Sequence, residues 1–487
     1  MPDYLFQLPE AASGTLQARI QEMMVNAILN HHIAPGSPMP SGRKLAEQLK
    51  VARNTVVLAY QSLIDEGFIE ARERSGFYVR EDVLDGYVDK GRRGFSEPTS
   101  SIDWDNAISF KPSDLPYNQK PKDWQSYPYP FLYGQFDKTL FPVADWRECC
   151  REAASISAIH NWAGDRIDQD NAQLVKQIHA KMLPRRGIWS NPDEILITLG
   201  AQHAIHIASQ LLLNQDRTIG MENPGYVDAR NTFLTQTNNI ELLSVDDRGL
   251  IIDEEKLAEC DLVYTTPSHH FPTTVTMPAR RRRRLLEAAD KHNFFIIEDD
   301  YESEFNYLGK PTPALKSLDT QDRVIYVGSL SKTLAPGIRL GYMVAPKPFI
   351  DQARALRRLM LRHPPSNNQY IISHFLKRGY HDSLVRRITS TLHHRSKLVQ
   401  SMLNELLPGS IASPTFGGSS YWVKGPENID ANELAQKAKE KGILIEPGDI
   451  FFHGENRPKN YFRLGFSSIS EEKIDAGLPI LAELIGS

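Results

Sequence analysis

Cysteine is scarce: there are three in 487 residues, Cys149 beside Cys150 and Cys260 far away. Such spacing excludes a disulfide framework and a cysteine metal knuckle, and it fits a reducing compartment. No stretch approaches the roughly eighteen uncharged apolar residues of a transmembrane helix, and residues 1 to 30 lack the basic-then-apolar pattern of a secretory leader. The expected location is the cytoplasm, with no membrane contact and no metal. Charge excess is missing as well. A formal net charge of -4 leaves any nucleic-acid contact to a local basic surface. No internal repeat is evident. What is present is the composition of an ordered globular protein, 41% apolar and 24% charged, in a chain long enough for two or three domains.

Between Gly14 and Asn30, apolar residues fall at Leu16, Ile20, Met23, Met24, Ala27 and Ile28, the spacing of one buried helix face. Pro35, Pro38 and Pro40 end it. Ser41 is placed to cap a short second helix that turns Leu45, Ala46 and Leu49 inward. A third helix is expected from about Arg53 to Glu66, closing at Gly67. Two β-rich runs, Phe68-Ile69 and Phe77-Tyr78-Val79, flank Arg72, Arg74, Ser75 and Gly76 and read as a hairpin. Three helices and a hairpin make a winged helix-turn-helix. In such modules the N-terminal end of the third helix meets base edges and phosphates. Arg53, Asn54 and Thr55 stand there, types that pair with guanine or phosphate, with adenine, and with phosphate or a thymine methyl. Arg43 and Lys44 on the second helix and Arg72 and Arg74 in the wing are candidates for backbone contacts, with Ser41 and Gly76 beside them.

The stretch SGRKLAEQLKVARNTVVLAYQSLIDEG resembles the DNA-binding domain of GntR-type bacterial regulators. One departure is Ala52, where that family usually has a capping serine.

Residues 81 to about 125 lose periodicity, carry Gly91-Arg92-Arg93-Gly94 and five prolines from Pro112 to Pro130, and read as a spacer. Beyond it, short apolar runs alternate with helical segments: Ile195 to Thr198, Thr218 to Met221, Leu262 to Thr266, Phe294 to Ile297, Val324 to Val327 and Leu340 to Ala345. Such runs indicate a mostly parallel sheet covered on both faces, with ligands at the carboxyl ends of its strands. After about residue 370 the pattern becomes that of a smaller α+β lobe. The domains are therefore expected at 1–80, 81–125 as spacer, and 126–487 with 370–487 as the smaller lobe. The run Arg280 to Arg284 reads as a solvated helix face.

Three polar residues follow strand ends: Asp299, Lys332, and Arg339 seven residues later. A lysine amine condenses with an aldehyde to form a Schiff base. Pyridoxal 5'-phosphate needs that lysine, a carboxylate for its ring nitrogen, and cationic or hydroxyl partners for its phosphate.

The segment Ser329, Ser331, Lys332, Pro336, Gly337, Arg339, Gly341 resembles the lysine motif of fold-type I pyridoxal phosphate enzymes, the aspartate aminotransferase family. The resemblance implies that Lys332 forms the internal aldimine, Ser329 and Arg339 hold the phosphate, Asp299 pairs with the pyridine nitrogen and Tyr301 with the phenolic oxygen. It also implies that Ala201 and Gln202, after Gly200, bind phosphate at a helix N-terminus. Tyr226 would stack on the ring, and Arg463 would clamp an effector carboxylate. His269 is the candidate to replace the family's asparagine near the ring oxygen.

Joined in this order, the two resemblances are those of the MocR/GabR group, to whose motifs TPSHHFPT, IIEDDYESEF and SLSKTLAPGIRLGY are similar. The implied function is a cofactor-dependent regulator that binds double-stranded DNA and senses an amine or amino acid by external aldimine formation at Lys332. The implied assembly is a homodimer, head-to-tail being one arrangement open to it. A sensor is expected rather than an enzyme; an active aminotransferase carrying a DNA-binding module is the alternative.

Overall fold

The computed structural model describes residues 6, 14–30, 32–73, 75–85, 102–307, 312–413 and 417–486. Arg74 and the Gly91 to Gly94 stretch lie outside the described residues. The chain divides into two compact units, Met1–Ser109 and Phe110–Ser487.

In the first unit, α1 (Leu16–Leu29) begins at Thr15, whose Oγ1 accepts from Ala18 N at 3.3 Å. Helix α2 (Gly42–Leu49) begins at Ser41, whose Oγ accepts from Lys44 N at 3.2 Å. Each side chain satisfies one of the free amides that every helix start leaves open. Helix α3 (Arg53–Asp65) begins at Ala52 with no side-chain cap. Ile20, Met24, Ile28, Leu45, Val56, Ala59 and Leu63 close one core among the three helices; full burial of each large aliphatic contributes about 1.5–3 kcal/mol. The wing pairs β1 (Ile69–Arg72) with β2 (Gly76–Val79), Arg72 opposite Gly76. Gly76 sits at φ +105 with open space around it, the conformation that favours glycine at this turn.

In the second unit the strands are β3 (Tyr129–Pro130), β4 (Ile195–Thr198), β5 (Ile219–Asn223), β6 (Ile240–Asp246), β7 (Gly249–Leu250), β8 (Leu262–Thr265), β9 (Phe295–Asp300), β10 (Val324–Ser329), β11 (Gly341–Val344), β12 (Ser420–Lys424), β13 (Ile443–Leu444), β14 (Glu446–Pro447) and β15 (Tyr461–Gly465). Eight of them form one sheet in the order β4-β11-β10-β9-β8-β5-β6-β7. Neighbours from β10 through β9, β8 and β5 to β6 run parallel. Strand β11 runs antiparallel to β10 and β4. It therefore starts at the edge where its neighbours end, so the residues before it meet the turns that follow them. No helix among the described residues is long and apolar enough to cross a membrane.

The smaller lobe carries the antiparallel sheet β12-β15-β14. It also takes β3 from far upstream, paired in parallel with β13, and Phe131 from the same segment is buried in its core. Residues 110–125, read from sequence as spacer, are attached to this unit. Asn231 Nδ2 donates to Pro116 O at 2.7 Å and Asn118 Nδ2 donates to Glu446 Oε1 at 3.0 Å. Proline spacing marked the segment as irregular but not as undocked. One member of the arginine run departs from its reading, whereas Arg280, Arg283 and Arg284 are exposed as expected. Arg282 is fully buried and donates to the carbonyls of Met277, Pro313 and Pro267, because it shares the inward face of its helix, Ala279–His292, with Leu285 and Ala289.

Candidate functional site

Parallel pairing sets Val327 of β10 opposite Asp299 of β9, which brings the ends of both strands, and the turn carrying Lys332, to one rim of the sheet. Lys332 is half-buried there, and desolvation lowers its affinity for a proton against the opposing pull of Glu302. Its Nζ lies 4.5 Å from the centroid of the Tyr133 ring. A Cβ on Gly134 would come within 2.7 Å of that Nζ, so the space before the amine exists because residue 134 has no side chain. The lysine, Gly134, Phe141 and Glu302 share the lining of one pocket.

Tyr264 Oη donates to Asp299 Oδ2 at 2.8 Å, while Asp299 Oδ1 is buried without a hydrogen-bond partner. Burial pushes the Asp299 carboxyl up to about 7, with the Tyr264 hydrogen bond opposing. A buried carboxylate oxygen without a donor carries a desolvation cost that a protonated ring nitrogen would relieve.

The start of β11 accounts for Arg339. It lies three residues before Met343's neighbour Tyr342 and has φ +49. Its Nη2 donates to Leu199 O at 3.2 Å. A Cβ on Gly200 would meet that guanidinium at 3.3 Å. Gly200, at φ +85, precedes α4 (Ala201–Leu212). A twelve-residue helix N-terminus, unblocked by a side chain and faced by an arginine, is suited to an anion. Ala201 is its first residue. Gln202 Nε2 donates to Asp228 O and Thr232 Oγ1, and its Oε1 is buried without a partner. Ser329 closes β10 opposite Gly341.

Tyr226 and Tyr301 both stand edge-on to Phe271, with ring centroids 5.0 and 6.0 Å away. Tyr226 Oη donates to Asp228 Oδ2 at 3.3 Å. Arg463, 2% exposed, lies 4.0 Å from the Tyr133 centroid and 4.4 Å from that of Phe271. Its Nε donates to Glu446 Oε2 at 2.7 Å. His269 is buried nearby: both ring nitrogens lack partners, and burial lowers its pKa. Its ring abuts Gly417 and Gly418, and Phe271, two residues on, is the member of that loop that meets Tyr226 and Tyr301.

The sequence reading missed Tyr133, Glu302, Phe271 and Tyr264. Glu302 Oε1 accepts from Ser419 Oγ at 2.6 Å, and its Oε2 is buried without a partner. Glu302 adjoins Tyr301 in a run of acidic residues, a signal that was available. Tyr133 carried none, because its place depends on β3 crossing to the smaller lobe.

On the first unit, Arg53 and Asn54 are exposed at the start of α3, and Thr55 is half-buried. Arg43 Nε donates to Glu47 Oε1 at 3.1 Å on an exposed face. Arg72 Nε donates to Glu70 Oε1 at 2.7 Å, and its guanidinium lies 4.5 Å over the Tyr78 ring.

Two family profiles match the chain: aminotransferase class I and II over residues 134–481, and bacterial regulatory proteins of the gntR family over residues 16–79. The HTH-type transcriptional regulator TauR of Rhodobacter capsulatus is 40% identical over 485 residues, covering 100% of this chain and 99% of that one. The MocR protein of Rhizobium meliloti is 26% identical over 473 residues, covering 97% and 94%. This chain belongs to the MocR-type transcriptional regulators. As in that family, a GntR-type helix-turn-helix is fused to an aminotransferase-like domain with a large, mostly parallel sheet. The second unit of this MocR-type regulator is similar to the kynurenine aminotransferase of Pyrococcus horikoshii, with TM-score 0.72 and 27% identity over 79% of this chain and 98% of that one.

Proposed function

We propose that this regulator binds operator DNA through α3 and changes its affinity for that DNA when an amine or amino acid is captured at Lys332 with pyridoxal 5'-phosphate in the site. The observation that carries the reading is the pairing, in one cleft, of a half-buried lysine of lowered proton affinity with a buried Asp299 oxygen that has no donor.

Pyridoxal phosphate, when bound, supplies an aldehyde that condenses reversibly with amines. Lys332 would hold it covalently, and Asp299 Oδ1 would accept from its ring nitrogen. Tyr301 and His269 would lie toward its phenolic oxygen, with Tyr226 against the ring face. Ser329, Arg339, the Ala201 amide and Gln202 would hold its phosphate. The orphaned Asp299 oxygen and the Gly200 cradle support this fit. Burial lowers the Lys332 amine's affinity for a proton, which favours the exchange of that amine with an incoming one. Arg463, held by Glu446 through Nε, keeps its terminal nitrogens for an effector carboxylate.

An effector switches the protein only if it binds one conformation better than another. A two-fold symmetric homodimer would match paired half-sites on double-stranded DNA. A second reading, an active aminotransferase, is supported by the same lowered proton affinity, since a proton-shuttling lysine also needs it.

The test is the visible spectrum of the protein with pyridoxal phosphate, titrated with amines and amino acids, followed by an assay for keto acid. The sensor reading expects a Lys332-dependent band, absent in Lys332→Ala, that shifts with one ligand class while no keto acid forms. Turnover with keto acid release favours the aminotransferase, and a band that persists in Lys332→Ala overturns both.

A further inference from the structure

Helix α3 presents one apolar side chain among its polar base readers. Val57, one turn after Arg53, is 48% exposed, whereas Val56, Ala59, Tyr60 and Leu63 are buried against α1 and α2. Its position is fixed by α2. A Cβ on Gly42, the first residue of α2, would touch Val57 Cγ2 at 3.9 Å. Val57 therefore lies on the side of α3 that adjoins the α2 N-terminus, where Ser41, Arg43 and Lys44 stand. Leu58, 54% exposed, belongs to the other side: Gln17 Nε2 from α1 donates to its carbonyl at 3.5 Å and to Ser62 Oγ at 3.2 Å.

A β-branched residue is a weak helix former, and exposed on a helix it gains nothing from packing. The major groove offers it one protruding apolar group, the C5-methyl of thymine, among edges that otherwise present chiefly hydrogen-bond donors and acceptors. Arg43, Arg53 and Asn54, all exposed around it, are suited to phosphates and base edges. We propose that Val57 reads a thymine methyl next to the base met by Arg53. The proposal rests on α3 lying in the major groove.

The experiment uses the full-length protein and duplexes it selects from a random library. Each thymine of the selected half-site is then replaced by deoxyuridine, which removes only the methyl group. Loss of one methyl contact should weaken wild-type binding about fourfold at a single position. Val57→Ser and Val57→Asn, which replace both methyls with polar groups, should bind thymine and deoxyuridine alike at that position and keep the wild-type preference elsewhere. If both variants retain the wild-type response to deoxyuridine at every position, the proposal is overturned while the placement of α3 stands. If Arg53→Ala also leaves the selected sequence unchanged, that placement fails and takes the proposal with it.

Discussion

Asp299 is held by Tyr264 on one side only: Oδ2 accepts a 2.8 Å hydrogen bond and Oδ1, equally buried, accepts none. Burial raises this carboxyl from 3.8 to about 7. Between those values the folded chain holds a proton that the unfolded chain has lost. The resulting stability is fully present below about pH 4 and is lost as pH rises through 7. Asp299→Asn is neutral at every pH, so the cofactor-free variant should exceed wild type by a smaller margin at pH 5 than at pH 8, where the difference is at most about 4 kcal/mol. Its affinity for pyridoxal phosphate should fall at least about tenfold. Thermal melts at the two pH values check the first expectation; equal differences would argue against an unrelieved Asp299.

Tyr133 joins the two cations of the cleft, with Lys332 Nζ at 4.5 Å and the Arg463 guanidinium at 4.0 Å from its centroid. A desolvated contact of this kind contributes about 1–2 kcal/mol. Tyr133→Ala should therefore weaken a carboxylate-bearing effector about 5- to 30-fold in calorimetric titration, with Tyr133→Phe near wild type. Equal affinity for the alanine variant would remove Tyr133 from the site.

Ala52 leaves the start of α3 without a side-chain cap. Ala52→Ser should stabilise the DNA-binding unit by about 1 kcal/mol, read as a later melting transition for that unit. No change would mean that the free amides already have other partners.

Arg53 and Arg72 should behave differently on DNA. Arg53 is exposed at the helix start, and Arg53→Ala should cost about 1–3 kcal/mol of specific binding. Arg72 is already engaged by Glu70 and the Tyr78 ring. Its alanine variant should act mainly on the salt dependence of binding. Footprinting across a salt series separates the two, and an equal loss of specificity in both would contradict the distinction.

The residues legible from sequence were those whose chemistry and local geometry coincide. Asp299 lies at the end of β9, Lys332 follows β10 and Arg339 precedes β11, and Ser41 precedes a helix it caps. The helices of the first unit came out within two residues for the same reason: their apolar spacing is the core contact itself. Strand β6 was missed because its residues are mostly half-buried, so no continuous apolar run marks it. The placement of β3 and Tyr133 depends on a parallel pairing with β13 more than three hundred residues away, which no local pattern encodes. Arg282 was misread because its partners are three backbone carbonyls from separate turns, and charge patterning carries no trace of them.

The central claim is that an amine acts on DNA affinity by taking the place of Lys332. Operator binding by the pyridoxal phosphate-loaded protein, measured with and without the effector amine before and after borohydride treatment, tests it most directly, because reduction fixes Lys332 permanently to the cofactor. The account predicts that the untreated protein changes operator affinity on adding the amine and that the reduced protein, still binding the operator, does not respond. A reduced protein that responds like the untreated one would contradict it.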